Sequence, residues 1–245
     1  MIERVGVGTI AKASSGDLVP GLPADIAAND ILLCFAGDSD IVATLPMDVA
    51  WTPTAVPAYP LNAAHWHRYD GVTPPDTTVT YTGAVAAAAF IVAYRGCHTE
   101  GHPFDFNVFD DGMGNPVQVF APAGPIASPT INFSGMTPTY IGDMVICAWR
   151  TNLFGPNSAI RDAYPEVTTV LDDGFTGVGG AVGFGFADGI NPSGDPPGPN
   201  PRGSTYSAAV SGIASIMLLR QDGAVGIPGG TAMYSVSSPR PGEVQ

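Results

Sequence analysis

The sequence contains few charged residues, and lysine and glutamate are especially scarce. Charged residues make up 13% of the 245 positions, Lys12 is the single lysine, and the glutamates are Glu3, Glu100, Glu166 and Glu243. Lys and Glu are among the better helix formers, so their scarcity argues against a helical protein. The net charge is −13 and the arginines are scattered, whereas phosphate binding needs clustered basic side chains. We therefore expect no nucleic-acid partner and no binding to an anionic membrane surface.

The sequence also lacks the common signatures of reaction centres. It has no Gly-x-Ser-x-Gly and no phosphate-binding loop before its lysine, and none of its three cysteines belongs to a Cys-x-x-Cys pair. Cys34 and Cys147 lie in apolar runs and are expected to be reduced and buried. The alternative is a Cys34–Cys147 disulfide that leaves Cys97 unpaired. We predict a protein that is not an enzyme and has no cofactor.

Long apolar runs are absent as well. The longest, residues 84–94, spans 11 positions, which is too short to cross a bilayer. The N-terminal residues contain no apolar core of signal-peptide length. We expect synthesis in a cytoplasm without export through such a signal.

Glycine and proline are abundant instead. The chain has 31 glycines and 24 prolines, and Val, Ile, Thr, Tyr and Phe occupy many of the positions between them. Short strands joined by turns have this composition. The sequence therefore predicts an all-β protein.

Two halves of the chain are similar to each other. Residues 80–95 and 205–220 are identical at seven of sixteen positions, at an offset of 125. Asp30–Cys34 matches Asp143–Cys147 at an offset of 113, and AAHWHRYDG from Ala63 matches AVGFGFADG from Ala181 more weakly at 118. Collinear similarities of this kind indicate a duplicated unit.

The repeated segments predict particular strands and turns. The apolar run after Asp30, like the one after Asp143, lacks alternation and predicts a strand covered on both faces. Each aspartate is expected to hydrogen-bond its own turn. The alanine-rich residues 84–89 are predicted as strand, because helix caps are missing. Asp70-Gly71 and Asp188-Gly189 are predicted as turns that end the next strand of each copy.

Histidines and acidic residues offer candidate ligands. His65 and His67 share one face of a predicted strand, and His98 and His102 lie in a loop. A zinc site is conceivable from these residue types, but the spacing favours solvated histidines. Three acidic runs are interpreted as turns rather than calcium or glycosidase sites, namely Asp38-x-Asp40, Asp110-Asp111-Gly112 and Asp172-Asp173-Gly174.

The aromatic residues allow a sugar-binding alternative. Exposed tryptophans and tyrosines could stack on glycans, and the candidates are Trp51, Trp66, Trp149, Tyr59, Tyr69 and Tyr140. Trp66 lies between two histidines, so its ring faces the opposite side of the strand. If that side is the core, His65 and His67 point to solvent.

Several short motifs resemble a known group of proteins. The chain has Asp30-Ile31-Leu32-Leu33 after a Pro-rich turn, then Trp51-Thr52, then Ala93-Tyr94-Arg95-Gly96 ending a long strand. This order resembles tailed-bacteriophage structural proteins, the β-sandwich proteins of virion surfaces and tail tips. That group favours glycine where this chain has Asn29 and Ala50, and the second half here ends Leu219-Arg220-Gln221 instead of Tyr-Arg-Gly.

The resemblance implies a fold and a virion setting. We predict an internally duplicated antiparallel β-sandwich, jelly-roll-like, with repeats at 1–112 and 113–221 and a C-terminal extension or arm at 222–245. The halves form either one double sandwich or tandem domains. The expected function is that of a capsid decoration or head-spike protein; the alternative is a tail-tip or fibre-base protein that binds a host glycan.

The expected partners are capsid or other virion proteins and further copies of the chain, with trimers preferred. Residues 191–203 hold five prolines and three glycines and read as an exposed loop. The residues predicted to make contacts lie in this loop and in the C-terminal arm: Pro196, Pro197, Pro199, Met233, Tyr234 and Val236.

Overall fold

All regular secondary structure in the described part of the chain is β-strand. A computed structural model describes residues 1–39, 46–53, 64–105, 119–122, 130–132, 140–151, 158–161, 168–178, 180–190, 203–205, 212–224 and 226. Within these ranges no residue is helical, so none forms a helix that could span a membrane. The predicted all-β class is confirmed.

The strands follow one another along the chain as β1 (Glu3–Val7), β2 (Ala11–Ala13), β3 (Ile31–Asp38), β4 (Thr52–Pro53), β5 (Ala64–Arg68), β6 (Ala87–Arg95), β7 (Val119–Pro122), β8 (Thr130–Asn132), β9 (Met144–Thr151), β10 (Ser158–Arg161), β11 (Thr168–Gly177), β12 (Gly180–Ile190), β13 (Gly203–Thr205) and β14 (Gly212–Leu219). The two apolar runs that follow Asp30 and Asp143 are β3 and β9, as predicted. Of the alanine-rich residues 84–89, residues 87–89 lie in β6 and residues 84–86 precede it without forming a helix, so the prediction of strand is confirmed for the second half of the run.

The strands form two larger sheets and one small one. The first has the order β1-β6-β3-β5-β4, with β2 also paired to β6. The second has the order β11-β12-β9-β14-β7, and the third is β10-β13-β8. Neighbouring strands pair antiparallel throughout. Strands of the first half thus make one large sheet, and strands of the second half make the other.

The two large sheets share a register at their centres. In the first, Ile31 lies opposite Tyr94; in the second, Met144 lies opposite Leu219. These are the residues that the two stronger sequence similarities align. On the other side of these central strands, β5 pairs Arg68 with Ile31 and β12 pairs Ile190 with Met144. Arg68 and Ile190 therefore occupy corresponding positions, at an offset of 122 (190 − 68). The sequence alignment of AAHWHRYDG with AVGFGFADG used an offset of 118 and is wrong by four residues.

One hydrophobic cluster takes side chains from both large sheets. Phe35 and Phe90 of the first sheet stack with centroids 5.1 Å apart, and Phe186 of the second lies 5.9 Å from Phe35. Phe184 stacks on Phe90 at 5.6 Å, and Tyr94 lies 6.4 Å from Phe186. These offset ring contacts join the two sheets across a single core.

The opposite face of the first sheet is buried as well. Leu32 and Cys34 of β3 and Ile91 of β6 point away from the shared core into a second cluster. Loop residues such as Leu18 and Val79, which pair with each other as an isolated bridge, contribute to that cluster. Both faces of β3 and β6 are covered, so their sequences lack polar alternation; this covering was predicted for β3.

Of the two predicted Asp-Gly turns, one is present. Gly71 has a φ of 82°, and the amides of Val72 and Thr73 donate to Oδ1 of Asp70 at 2.7 and 2.9 Å. The turn predicted at Asp188-Gly189 is wrong. Both residues lie inside β12, because β9 continues to Met144 and supplies ladder partners as far as Ile190.

The acidic run at Asp172-Asp173-Gly174 is also strand rather than turn. It lies in the middle of β11, which forms a hairpin with β12. Asp173 accepts a hydrogen bond from Lys12 at 2.7 Å, so β2 and β11 are joined by an ion pair. The other two acidic runs include residues 40 and 110–112, which lie outside the described residues.

Replacing Phe186 by alanine tests the shared core. Phe186 of the second sheet is fully buried against the rings of Phe35 and Tyr94 of the first sheet. We expect Phe186→Ala to lower the free energy of unfolding by about 3–5 kcal/mol, through lost burial and the cavity left behind. Val178→Ala, at a position 75% exposed, should change it by less than about 0.5 kcal/mol. Equal effects of the two substitutions in urea unfolding would contradict the shared core.

Candidate functional site

The predicted contact residues cannot be placed. Pro196, Pro197, Pro199, Met233, Tyr234 and Val236 all lie outside the described residues, as does the boundary predicted between 112 and 113. Three groups of described polar side chains are buried at an ion pair in the first sheet, at a network between the sheets and at a cluster near residues 97–105; Asp38, Ser39, His65 and Arg150 are buried outside these groups. We describe each group as a candidate site.

The ion pair closes one end of the first sheet. Asp30 is 1% exposed, and its carboxylate accepts hydrogen bonds from Nε and Nη2 of Arg95 at 2.9 and 2.8 Å. The amide of Ala27 donates to the same carboxylate at 2.7 Å, which confirms the predicted turn bond of Asp30. The bond to Asp30 raises the pKa of Arg95. A bidentate arginine–carboxylate pair of this kind fixes geometry as well as charge.

A second polar group joins the two large sheets. The Tyr94 hydroxyl donates to Oδ2 of Asp188 at 2.9 Å, and Arg4 forms an ion pair with Oδ1 of the same residue. Burial raises the pKa of Asp188, and the positive charge of Arg4 opposes that rise. Burial, followed by the charge and hydrogen bond of Asp188, raises the pKa of Tyr94. Strands β1, β6 and β12 are thus tied together by one buried carboxylate.

The third group surrounds the segment 97–105. The backbone of this segment pairs with the end of β14: the amide of Asp105 donates to Leu218 at 2.9 Å, and that of Arg220 donates to Pro103 at 2.8 Å. The Arg68 guanidinium donates to the carbonyls of His98 and Gly101 at 2.9 and 3.2 Å. The segment therefore bridges the first sheet and the second.

Asp143 in this group is the counterpart of Asp30, but its surroundings differ. It is fully buried, and neither carboxyl oxygen has a partner with hydrogen-bond geometry among the described residues. Burial raises its pKa to about 9, and the adjacent carboxyl of Asp105 adds to the rise. Arg220 has the sequence position that corresponds to Arg95, but its guanidinium lies 4.1 Å above the Tyr140 ring. The predicted turn bond of Asp143 is not found.

The histidines lie close to protein atoms rather than in solvent. His65 is 6% exposed, and burial lowers its pKa to about 4. The expectation that it points to solvent is wrong, because the first sheet is covered on both faces. His67 is half-buried, with Nδ1 2.9 Å from the Ala50 carbonyl and its ring 5.6 Å from that of Trp51.

The loop histidines are also enclosed. Burial lowers the pKa of His102 to about 4, and its ring lies 4.9 Å from that of Trp66. Nδ1 of His98 lies 3.8 Å from Oδ1 of Asp222. Among the described residues, no set of three histidine, cysteine or acidic side chains is arranged to hold a metal ion.

The tryptophans and tyrosines that could stack on glycans are largely covered by other protein atoms, as far as the structure describes them. Trp51 is 3% exposed and donates from Nε1 to the Asp76 carbonyl at 2.7 Å. Tyr69 is buried, Trp66 packs against the shared core, and Tyr140 lies under Arg220. Tyr59 and the side chain of Trp149 lie outside the description. The described aromatic side chains thus form no exposed stacking surface.

The three cysteines form no disulfide and are buried. Burial raises the pKa of Cys97 to about 12 and raises that of Cys34 further. The expectation of reduced, buried Cys34 and Cys147 is confirmed, and the alternative disulfide is absent. The thiols of Cys34 and Cys97 are poor nucleophiles, because a reactive cysteine needs a lowered pKa and access to solvent.

Sequence reasoning missed the partners of the buried carboxyls. Arg4 and Asp105 carried no motif, and Asp188 was assigned to a turn. The one available signal was the repeated pairing of an aspartate with an arginine, Asp30 with Arg95 and Asp143 with Arg220, in both similar halves. Comparison of the chain with protein families, with curated proteins and with solved structures finds no match.

A double-mutant cycle tests the network between the sheets. Tyr94→Phe removes one hydrogen bond to a buried carboxylate and should cost about 1–2 kcal/mol of unfolding free energy. Asp188→Asn should cost a similar amount, because Arg4 then loses its counter-charge. The double variant should be more stable than the sum of the single losses predicts. Strict additivity in urea unfolding would show that the two side chains do not interact.

Proposed function

We propose that the protein is a non-enzymatic virion structural protein, a capsid decoration or head-spike protein built from a duplicated β-sheet unit. The observation that supports the proposal is that the two halves of the chain have the same order of strands in their large sheets. The orders β6-β3-β5-β4 and β14-β9-β12-β11 correspond strand by strand, and the central pairs have the same register. Each half supplies one layer of the proposed sandwich, with Phe90 and Phe186 between them.

The motif behind the resemblance has a structural role that suits this proposal. Ala93-Tyr94-Arg95-Gly96 ends the central strand β6, and three of its residues have separate tasks. Tyr94 binds Asp188 of the other sheet, Arg95 binds Asp30, and Gly96 has a φ of 78°. A Cβ on Gly96 would also collide with the Met1 carbonyl, so glycine is needed there. The motif serves to assemble the two layers rather than to hold a ligand.

Three described ion pairs hold strands together. Lys12 binds Asp173, Arg4 binds Asp188 and Arg95 binds Asp30, each across different strands. Ion pairs between strands keep the sheets in a fixed arrangement, which suits a protein that binds to the repeating subunits of a capsid. Such proteins bind neighbours by apolar contact and by adding a strand to an exposed edge. Long loops and the residues after Gly226 are the proposed contact regions.

The location of the chain on particles tests the function. Antibodies against the purified chain should label the capsid surface at regular positions in electron micrographs of phage particles that contain it. Label confined to the tail tip would favour the tail-tip or fibre-base alternative with host glycan binding. Absence of the chain from purified particles would contradict both.

The arm is tested by two truncations. Gln221 pairs with Cys97, the amide of Asp222 donates to Gly96 at 2.9 Å, and Gly226 pairs with Tyr140. We therefore expect removal of residues 227–245 to preserve the thermal midpoint and to weaken particle binding. Removal from Asp222 onward, which deletes a backbone bond to the first half, should lower the midpoint as well. Full particle binding by the shorter truncation would contradict a role for the arm.

A further inference from the structure

Two buried carboxyl groups lie together where the halves of the chain are joined. Asp105 is 4% exposed and Asp143 is fully buried. They flank the end of β14 on opposite sides: Asp105 donates its amide to Leu218, and Asp143 precedes Met144, which pairs with Leu219. Met144, Leu219 and Phe104 point into the shared core. The side chains of the residues next to them in sequence therefore share the opposite face of the sheet.

In the first sheet, the aspartate at the position that corresponds to Asp143 is paired with an arginine. There Asp30 precedes Ile31 as Asp143 precedes Met144, and Arg95 neutralises its charge through two hydrogen bonds. In the second sheet the corresponding Arg220 is turned onto Tyr140, with its Nε buried and without a partner among the described residues. A second carboxyl, that of Asp105, lies beside the aspartate instead.

Two adjacent carboxylates in a dry interior cannot both be ionised at moderate cost. Burial and like charge both favour the protonated form, so the group holds its proton to high pH. Arg220 and the backbone of Gln221 act in the opposite direction on Asp143 but are outweighed, since its pKa is raised from 3.8 to about 9. The pair then contains at least one proton at neutral pH.

We infer that Asp143, buried beside Asp105, keeps its proton in the folded protein, which fastens segment 97–105 to the second sheet and releases it when the proton is lost. The pair acts as a pH-dependent latch between the halves of the chain. When the latch opens, the first backbone hydrogen bonds to break should be those donated by the amides of Asp105 and Arg220, which lie beside it.

The other titratable groups around the latch can be separated from it. Burial lowers the pKa values of His98 and His102, so neither changes charge in the folded protein above neutral pH. Burial raises the pKa of Cys97 to about 12, which places it above the relevant range. The other charged side chains near His98 in this group are those of Arg68, Arg220, Glu100 and Asp222.

The sign of the pH dependence follows from the raised pKa of Asp143. The folded protein keeps a proton that the unfolded chain releases above its ordinary pKa of 3.8. Stability is therefore full below pH 4 as far as this group is concerned, and it falls as the pH rises toward about 9. Each pH unit in that interval should raise the unfolding equilibrium constant by about tenfold through this group alone.

The test compares the full chain with Asp143→Asn in urea unfolding between pH 5 and pH 8. The ratio of the unfolding constants, parent over variant, should rise about tenfold per pH unit, because the amide has no proton to release. Asp30→Asn is the matched control: it removes an ion pair at the corresponding position and should give a ratio that is nearly constant with pH. A constant ratio for Asp143→Asn would overturn the inference.

Two measurements on the parent chain keep the test independent of how the variants fold. Infrared spectra at pH 7 should contain the carbonyl band of a buried protonated carboxylic acid, and the band should disappear near pH 10. Hydrogen exchange of the Asp105 and Arg220 amides, corrected for intrinsic rates, should accelerate over the same range, while that of Leu33 in β3 should not. Absence of the band at pH 7, or unchanged protection of both amides, would overturn the proposal.

Discussion

The contact between the aromatic faces of the two large sheets is the constraint on which the rest of the structure depends. Phe90 lies against both Phe184 and Phe186, and these contacts fix the distance between strands from different halves of the chain. Once the sheets are held at that distance, Tyr94 reaches Asp188 and Lys12 reaches Asp173. The polar bridges are thus a consequence of the apolar core, and they select one arrangement among those that apolar contact alone would allow.

The similar halves place an aspartate and an arginine at corresponding positions but use them differently. Asp30 and Arg95 neutralise each other, whereas Asp143 lies beside Asp105 and Arg220 lies on Tyr140. The change is one of surroundings rather than of residue type. Two halves with the same central strand pairing therefore differ in how a buried aspartate at the same position is neutralised.

The sequence predicted the strands that have strong local signals. Apolar runs without alternation identified β3 and β9, and the repeated Thr-Tyr segments identified β6 and β14. The weaker similarity was misaligned because alternating small and aromatic residues in β12 match equally well after a shift of an even number of positions, which keeps every side chain on its own face. Strand β11 was missed because Asp172-Asp173-Gly174 has the composition of a turn. The placement of Asp143 beside Asp105 depends on packing between distant segments and has no local signal.

The central claim is that the two halves pair their central strands in the same register. Interstrand nuclear Overhauser contacts in the full chain test it most directly. The account predicts backbone contacts between Ile31 and Tyr94 and, in the other sheet, between Met144 and Leu219. Contacts displaced by one or more residues in one sheet relative to the other would contradict it.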